Sequence, residues 1–162
     1  MDNMNELIAA IETMDPEVIA STILMFTGIL VIIAAIALAR YLMTAIGYSK
    51  MYRKAGVAGW KAFIPVYNTY NNYKISWNSK MFFVSIALYI LMSVLTNSSM
   101  LAIQLVTAAA AIALLVVVIK QNVKMAKLFG KGAGTGIALI FFPGITALIL
   151  GLGKAEYTAI AE

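Results

Sequence analysis

KLFGKGAGTG, residues 127 to 136, is the stretch of this chain whose residue types most invite a chemical reading. Glycines beside a lysine can cradle a phosphate, because backbone N–H groups reach the ligand where no side chain intervenes. A phosphate loop, however, needs its lysine followed by Ser or Thr, and no lysine here meets that condition. The dinucleotide fingerprint G-x-G-x-x-G fails as well: Gly130-Lys131-Gly132 leads to Thr135, and Gly134-Thr135-Gly136 to Leu139. Both motifs also need a preceding strand, whereas an apolar helical stretch comes first here. The glycines read as a turn into the next apolar segment and as points of close packing.

The rest of the catalytic inventory is thin. The chain has no histidine and no cysteine, which removes the commonest general base, the commonest metal ligand and all thiolate chemistry. Its ten methionines have no His or Cys beside them and read as adaptable packing. No catalytic, metal or cofactor site is expected, and the chain reads as a non-enzyme.

The elements that carry these residues belong in a bilayer. The sequence has 162 residues, 62% hydrophobic and 12% charged, against roughly half and a quarter in soluble domains. A spanning helix needs about 20 mainly apolar residues. Four segments approach this: 18–39, 81–96, 100–119 and 137–152, the last interrupted by Pro143-Gly144. The expected fold is therefore all-α, a single membrane domain over 1–162 with four transmembrane helices. Asp15, Pro16 and Glu17 suit the start of the first helix as cap, first-turn proline and dipole partner. Residues 1–16 are acidic and contain no Lys or Arg, so they do not read as a cleavable secretory signal. Within 1–14 the apolar residues fall at helical spacing; a short amphipathic surface helix and a frayed acidic tail both remain open.

Charge sets the sides. The loop 48–80 carries Lys50, Arg53, Lys54, Lys61, Lys74 and Lys80 without an acid, and the loop 120–136 carries Lys120, Lys124, Lys127 and Lys131, again without one. Basic loops stay cytoplasmic, so four spans put both termini outside a bacterial cytoplasmic membrane. The basic face is expected to attract anionic lipid at about 1 kcal/mol per residue. Nucleic acid is not an expected partner, because the membrane interface explains the aromatic residues better.

Between the first two spans lies KAGVAGWKAFIPVYNTYNNYKISW, a polar and aromatic elbow. Trp60, Tyr67, Tyr70, Tyr73 and Trp77 are expected to anchor it at the headgroup boundary. Pro65 can open a short helix whose Asn68, Asn71 and Asn72 face water or cap. A re-entrant course for residues 64–75, lining a polar cavity, is the alternative. In the third span, Gln104, Ala108, Ala109 and Ala111 form a small-residue face suited to helix packing, and Pro143 with Gly144 lets a neighbour approach the last span.

These segments resemble a family of small bacterial membrane proteins of unknown function. The resemblance rests on KAGVAGWKAFIPVYNTY, which fits KAG-x-x-GW-x-A-x-IP-x-YN-x-Y, and on AKLFGKGAGTG, which fits A-K-x-FGKG-x-G, in that order between about Met51 and Tyr157. Relatives sometimes carry the label signal peptidase, whose chemistry is a serine nucleophile with a lysine base on the outer side. Here Ser49, Ser76 and Ser79 lie near lysines only on the cytoplasmic side, Ser98 and Ser99 have none nearby, and no Ser-Met-x-Pro segment exists. The label does not fit. The expected function is assembly, with itself or a larger membrane partner; a small channel or transporter subunit is the rival.

Overall fold

The computed structural model describes Met4, residues 15–96 and residues 98–159. The amphipathic helix considered for residues 1–14 thus lies, Met4 aside, outside the described residues. Every regular element among the described residues is helical. Two compact units divide after Arg40.

The first unit holds the opening of α1, Pro16–Lys54. Asp15 Oδ1 accepts from the Glu17 N–H at 2.9 Å, which satisfies one of the donors left free at a helix start. From Ile23 to Arg40 every side chain is exposed, although most are Ile, Leu, Val and Ala.

The second unit, from Tyr41, holds the C-terminal turns of α1, a 3-10 helix Gly59–Phe63, α2 Pro65–Ser76, α3 Ser79–Leu95, α4 Leu101–Leu128, α5 Ala133–Phe141 and α6 Pro143–Leu152. α3 and α4 pack on each other as a helical hairpin. α1 and α4 are each long and apolar enough to cross a membrane.

α1 and α4 end in the same way. Lys50-Met51-x-Arg53-x-x-Gly56 and Lys124-Met125-x-Lys127-x-x-Gly130 match position for position. Gly56 and Gly130 both adopt positive φ, 72° and 67°, which only glycine takes without strain. Val57 N–H donates to Tyr52 O at 2.8 Å and Lys131 N–H to Ala126 O at 2.9 Å, with Gly56 N–H on Arg53 O and Gly130 N–H on Lys127 O beside them. Both ends are Schellman motifs, and Met51 and Met125 are both fully buried.

Each ending leads into a hairpin broken at a proline. Gly59 presses on Ser49, where a Cβ would sit 2.5 Å from Oγ, and Gly136 presses on Val123, where a Cβ would sit 2.5 Å from Cα. Ser49 and Val123 each directly precede the Lys-Met pair. The returning helices then cross to the opposite partner. Gln121 of α4 donates to Ser76 Oγ and Asn72 O of α2 at 3.2 and 3.3 Å. Gly47 of α1 lies so close to α6 that a Cβ would meet Leu148 N at 2.7 Å. Gly47 and Gln121 each stand three residues before the Lys-Met pair. The second unit thus repeats the order of helix, glycine-capped turn and proline-broken hairpin, with α3 joining the two arms.

The expected fourth span, 137–152, is not one continuous helix. Residues 133–152 form two helices, Ala133–Phe141 of 9 residues and Pro143–Leu152 of 10, roughly 14–15 Å each against about 30 Å of hydrocarbon. The segment also returns to where it began: Thr158 N–H donates to Leu128 O at 2.7 Å, and the Phe129 and Tyr157 rings lie 5.5 Å apart. A segment whose ends are hydrogen-bonded to each other does not cross a slab once. Residues 153–158 consequently lie beside the ends of α1, α2 and α4.

Candidate functional site

The repeat brings its polar residues to one place. Along α2, Asn68, Asn72 and Ser76 recur at i, i+4, i+8 and so share a stripe of that helix. Tyr52, near the end of α1, meets it: its hydroxyl lies 2.7 Å from Asn68 O, 2.5 Å from Asn68 Oδ1 and 2.9 Å from Asn72 Oδ1. A phenol has one proton, so one of these oxygens receives it at a time, while the Asn72 amide bridges to Asn68 Oδ1. Ser76 Oγ donates to Asn72 O at 2.5 Å, and Gln121 closes the layer from α4. Asn71 and Asn122, also buried, each turn back on their own helix, to Tyr67 O at 2.6 Å and Val118 O at 2.9 Å.

The layer is saturated. Among the described residues, no fully buried side-chain nitrogen or oxygen lacks a partner. Burial pushes the Tyr48 hydroxyl up to about 12 and pushes Tyr52 up as well, with the neighbouring Tyr48 adding to the shift. Both phenols stay neutral across the physiological range. The layer thus acts as fixed hydrogen-bonding structure, and no group in it is poised to exchange protons.

A second polar feature holds the tail. Lys54 Nζ donates to Leu150 O, Gly153 O and Ala155 O at 2.8, 2.7 and 2.8 Å, so a cation meets the negative end of α6. Tyr157 OH donates to Ile75 O at 2.8 Å near the end of α2. The tail is laced to helix ends at three places.

The interfacial aromatics separate in this fold. Trp60 and Tyr67 are exposed and paired, ring centres 5.9 Å apart. Tyr70 is half-buried and edge-on to Phe82, and Trp77 lies under Lys124 Nζ at 4.1 Å. Tyr73 is a correction: it is buried among the core side chains, 4% exposed. Residues three apart on an α-helix rotate by about 60° relative to one another at each step, and over the two steps from exposed Tyr67 to Tyr73 the stripe turns into the core.

The basic residues divide similarly. Arg53, Lys120, Lys127 and Lys131 are exposed, and Lys50 and Lys61 half-buried. Lys54 and Lys124 are engaged within the chain, so they are not free basic surface. Of the packing residues, Gly144 is buried against Met43 and Thr44, its Cβ position 3.1 Å from Thr44 Oγ1, and Pro143 is half-buried. On α4, Gln104, Ala108 and Ala109 are exposed and Ala111 half-buried; the buried alanine of that run is Ala110. Gln104, Ala108 and Ala111 line a shallow groove with Leu95, Thr96 and Thr107.

A family described as "Family of unknown function (DUF5684)" matches residues 60–159. The chain belongs to this family. No curated protein and no solved structure shows significant similarity to it. The DUF5684 match takes in α2 to α6 and most of the tail, and with them the whole polar layer except Tyr52.

The layer was not anticipated as a unit. Its signals were present: the i, i+4, i+8 stripe of Asn68, Asn72 and Ser76, the Gln121-Asn122 pair at the basic end of α4, and the repeated Lys-Met-x-basic-x-x-Gly. None of them resembles a chemical motif, because their work is to hold helices together.

Proposed function

We propose that this DUF5684 chain is a non-enzymatic integral protein of the bacterial cytoplasmic membrane that acts through assembly of its spanning helices. In this reading α1, α3 and α4 cross the bilayer, the two broken hairpins dip in from the cytoplasmic side and return, and the basic loops and tail are cytoplasmic while the N-terminus is outside. The observation that carries the assembly reading is where packing is absent. The core cluster joins residues between Tyr48 and Leu150 around the hairpins and the basic ends of α1 and α4. The most apolar windows of α1 and α4 are only 0% and 6% buried. Helices in lipid associate through close backbone approach at small residues, and Ala108 and Ala109 of α4 are exposed for such contact.

The test is the size of the full chain in mild detergent and in nanodiscs, measured by light scattering. The parent should be larger than a monomer, and Ala108→Leu or Ala109→Leu should shift it toward the monomer. A strictly monomeric parent, at every protein-to-lipid ratio, excludes assembly with itself.

One observation favours the rival reading of a channel or transporter. Discontinuous helices in corresponding positions of two halves are how many transporters build a site, and Pro65 and Pro143 occupy such positions. The saturated polar layer argues against an open path through the hairpins. Solute flux in liposomes that is specific to the parent would favour transport over assembly.

A further inference from the structure

We propose that the groove between α2 and α3 holds one acyl chain of an anionic phospholipid from the cytoplasmic leaflet, with Lys74 at its headgroup. The inference rests on the membrane reading above and adds a defined lipid position to it.

The groove is formed by two adjoining depressions that share Val66 and Phe82; one reaches Tyr70, and the other reaches Pro65 and Ile86. Its walls are hydrocarbon and aromatic faces apart from Thr69, whose hydroxyl donates back to Pro65 O at 3.0 Å. Phe82 is buried at its base while Val66 is 66% exposed at its rim. An aliphatic chain matches such a lining, because it needs no hydrogen bond and fills space beside an aromatic floor.

The register of α2 supplies the polarity. Val66, Tyr70 and Lys74 stand at i, i+4, i+8 and run along one stripe of the helix. The stripe goes from aliphatic, through a phenol, to an ammonium in the last turn. A leaflet lipid has the same order from tail, through glycerol ester, to phosphate. α2 lies the right way round for this, since Ser76 near its C-terminal end bonds Gln121 towards the basic end of α4.

Charge selects the headgroup. Lys74 is exposed, in contrast to Lys54 and Lys124, which are engaged inside the chain. From Tyr48 to Lys80 there is no acidic residue to compete for it. A net negative headgroup is therefore favoured over a zwitterionic one.

The experiment uses the full chain purified in mild detergent, exposed to equal amounts of phosphatidylglycerol and phosphatidylcholine, with retained lipid counted by native mass spectrometry. The parent should keep one phosphatidylglycerol per chain at roughly fivefold preference, the ratio one lysine near an anionic headgroup supports. Lys74→Gln should bring the preference close to unity at unchanged helicity. Val66→Trp, an outward position, should fill the groove and remove retained lipid of both kinds. Lys154→Gln, an exposed lysine of the tail outside the basic loops, should change nothing. Equal retention of the two lipids by the parent overturns the proposal. So does an effect of Lys154→Gln as large as that of Lys74→Gln, or lipid that survives Val66→Trp. A parent absent from the membrane fraction would instead sink the membrane reading itself, and the lipid site with it.

Discussion

Single side chains in this protein matter mainly as connectors between helix ends. Tyr52→Phe keeps the ring and its burial but removes the single phenolic proton that the oxygens of Asn68 and Asn72 share. A buried acceptor left unpaired costs about 1–3 kcal/mol, so a lower thermal midpoint in detergent is expected, with helicity at low temperature unchanged. Lys54→Met removes an ammonium from three carbonyls, and hydrogen bonds to charged groups are worth about 1.5–3 kcal/mol. The expected outcome is a loosened tail, seen as faster tryptic cleavage after Lys154, while cleavage after Lys120 is unchanged. The absence of histidine predicts little pH dependence of stability between about 6 and 9. Tyr48 sets an upper edge. Between its ordinary value of 10.0 and about 12, the unfolded chain has lost the phenolic proton while the folded chain keeps it. Stability is therefore complete below pH 10 and falls as pH rises through that window. Tyr48→Phe should flatten this part of the profile, measured by thermal unfolding at stepped pH.

At the scale of elements, glycine separates contact from mere presence in a helix. A Cβ at Gly47 would sit 2.7 Å from Leu148 N, and one at Gly151 2.7 Å from Gly47 O, so even Gly47→Ala must force α1 and α6 apart. Overpacking of this kind costs about 1–3 kcal/mol. Gly28 in the same helix has nothing within 4 Å, and Gly28→Ala should stabilise by up to about 1 kcal/mol through helix propensity. Opposite shifts in thermal midpoint check the pair; equal shifts would mean that α1 and α6 do not touch as described. The same contrast explains what the sequence made legible. Apolar length locates α3 and the starts of α1 and α4 within a few residues. But α1 continues to Lys54 and α4 to Leu128, well past the expected ends at 39 and 119, because helical residues there need not be apolar. Pro65 marks the start of α2 because a proline suits a first turn. Residues 137–152 defeat that method. Hydropathy counts apolar residues without recording direction, so a crossing and a hairpin that returns score alike. Only the contacts of Leu128 with Thr158 and of Gly136 with Val123 distinguish them. The stripe Asn68, Asn72, Ser76 was visible too, but its partners Tyr52 and Gln121 are remote in sequence, and helical spacing cannot say which side chains meet across elements.

For the whole molecule, the repeat makes topology a sharp question. A parallel repeat places the basic ends of α1 and α4, both hairpins and the tail on one side, because α3 returns the chain before α4 descends again. Four full crossings would instead put the tail opposite the basic loops. The cysteine-free sequence gives a clean comparison: Ser79→Cys, Ser99→Cys and Ala159→Cys, each labelled on intact cells with a membrane-impermeant thiol reagent. Position 99 lies in the α3–α4 turn and should label. Positions 79 and 159 should label only after the membrane is opened, position 79 because it follows the basic elbow and position 159 because Thr158 is bonded to Leu128 at the end of α4. The result at 159 is the discriminating one. Labelling at 99 and 159 together on intact cells would mean that residues 137–152 cross the bilayer, and that the hydrogen bond joining the two ends of the hairpin does not exist in the membrane. Labelling at 99 alone leaves three crossings and a returning hairpin as the arrangement consistent with basic loops inside, short broken helices, and a tail laced to Lys54, Ile75 and Leu128.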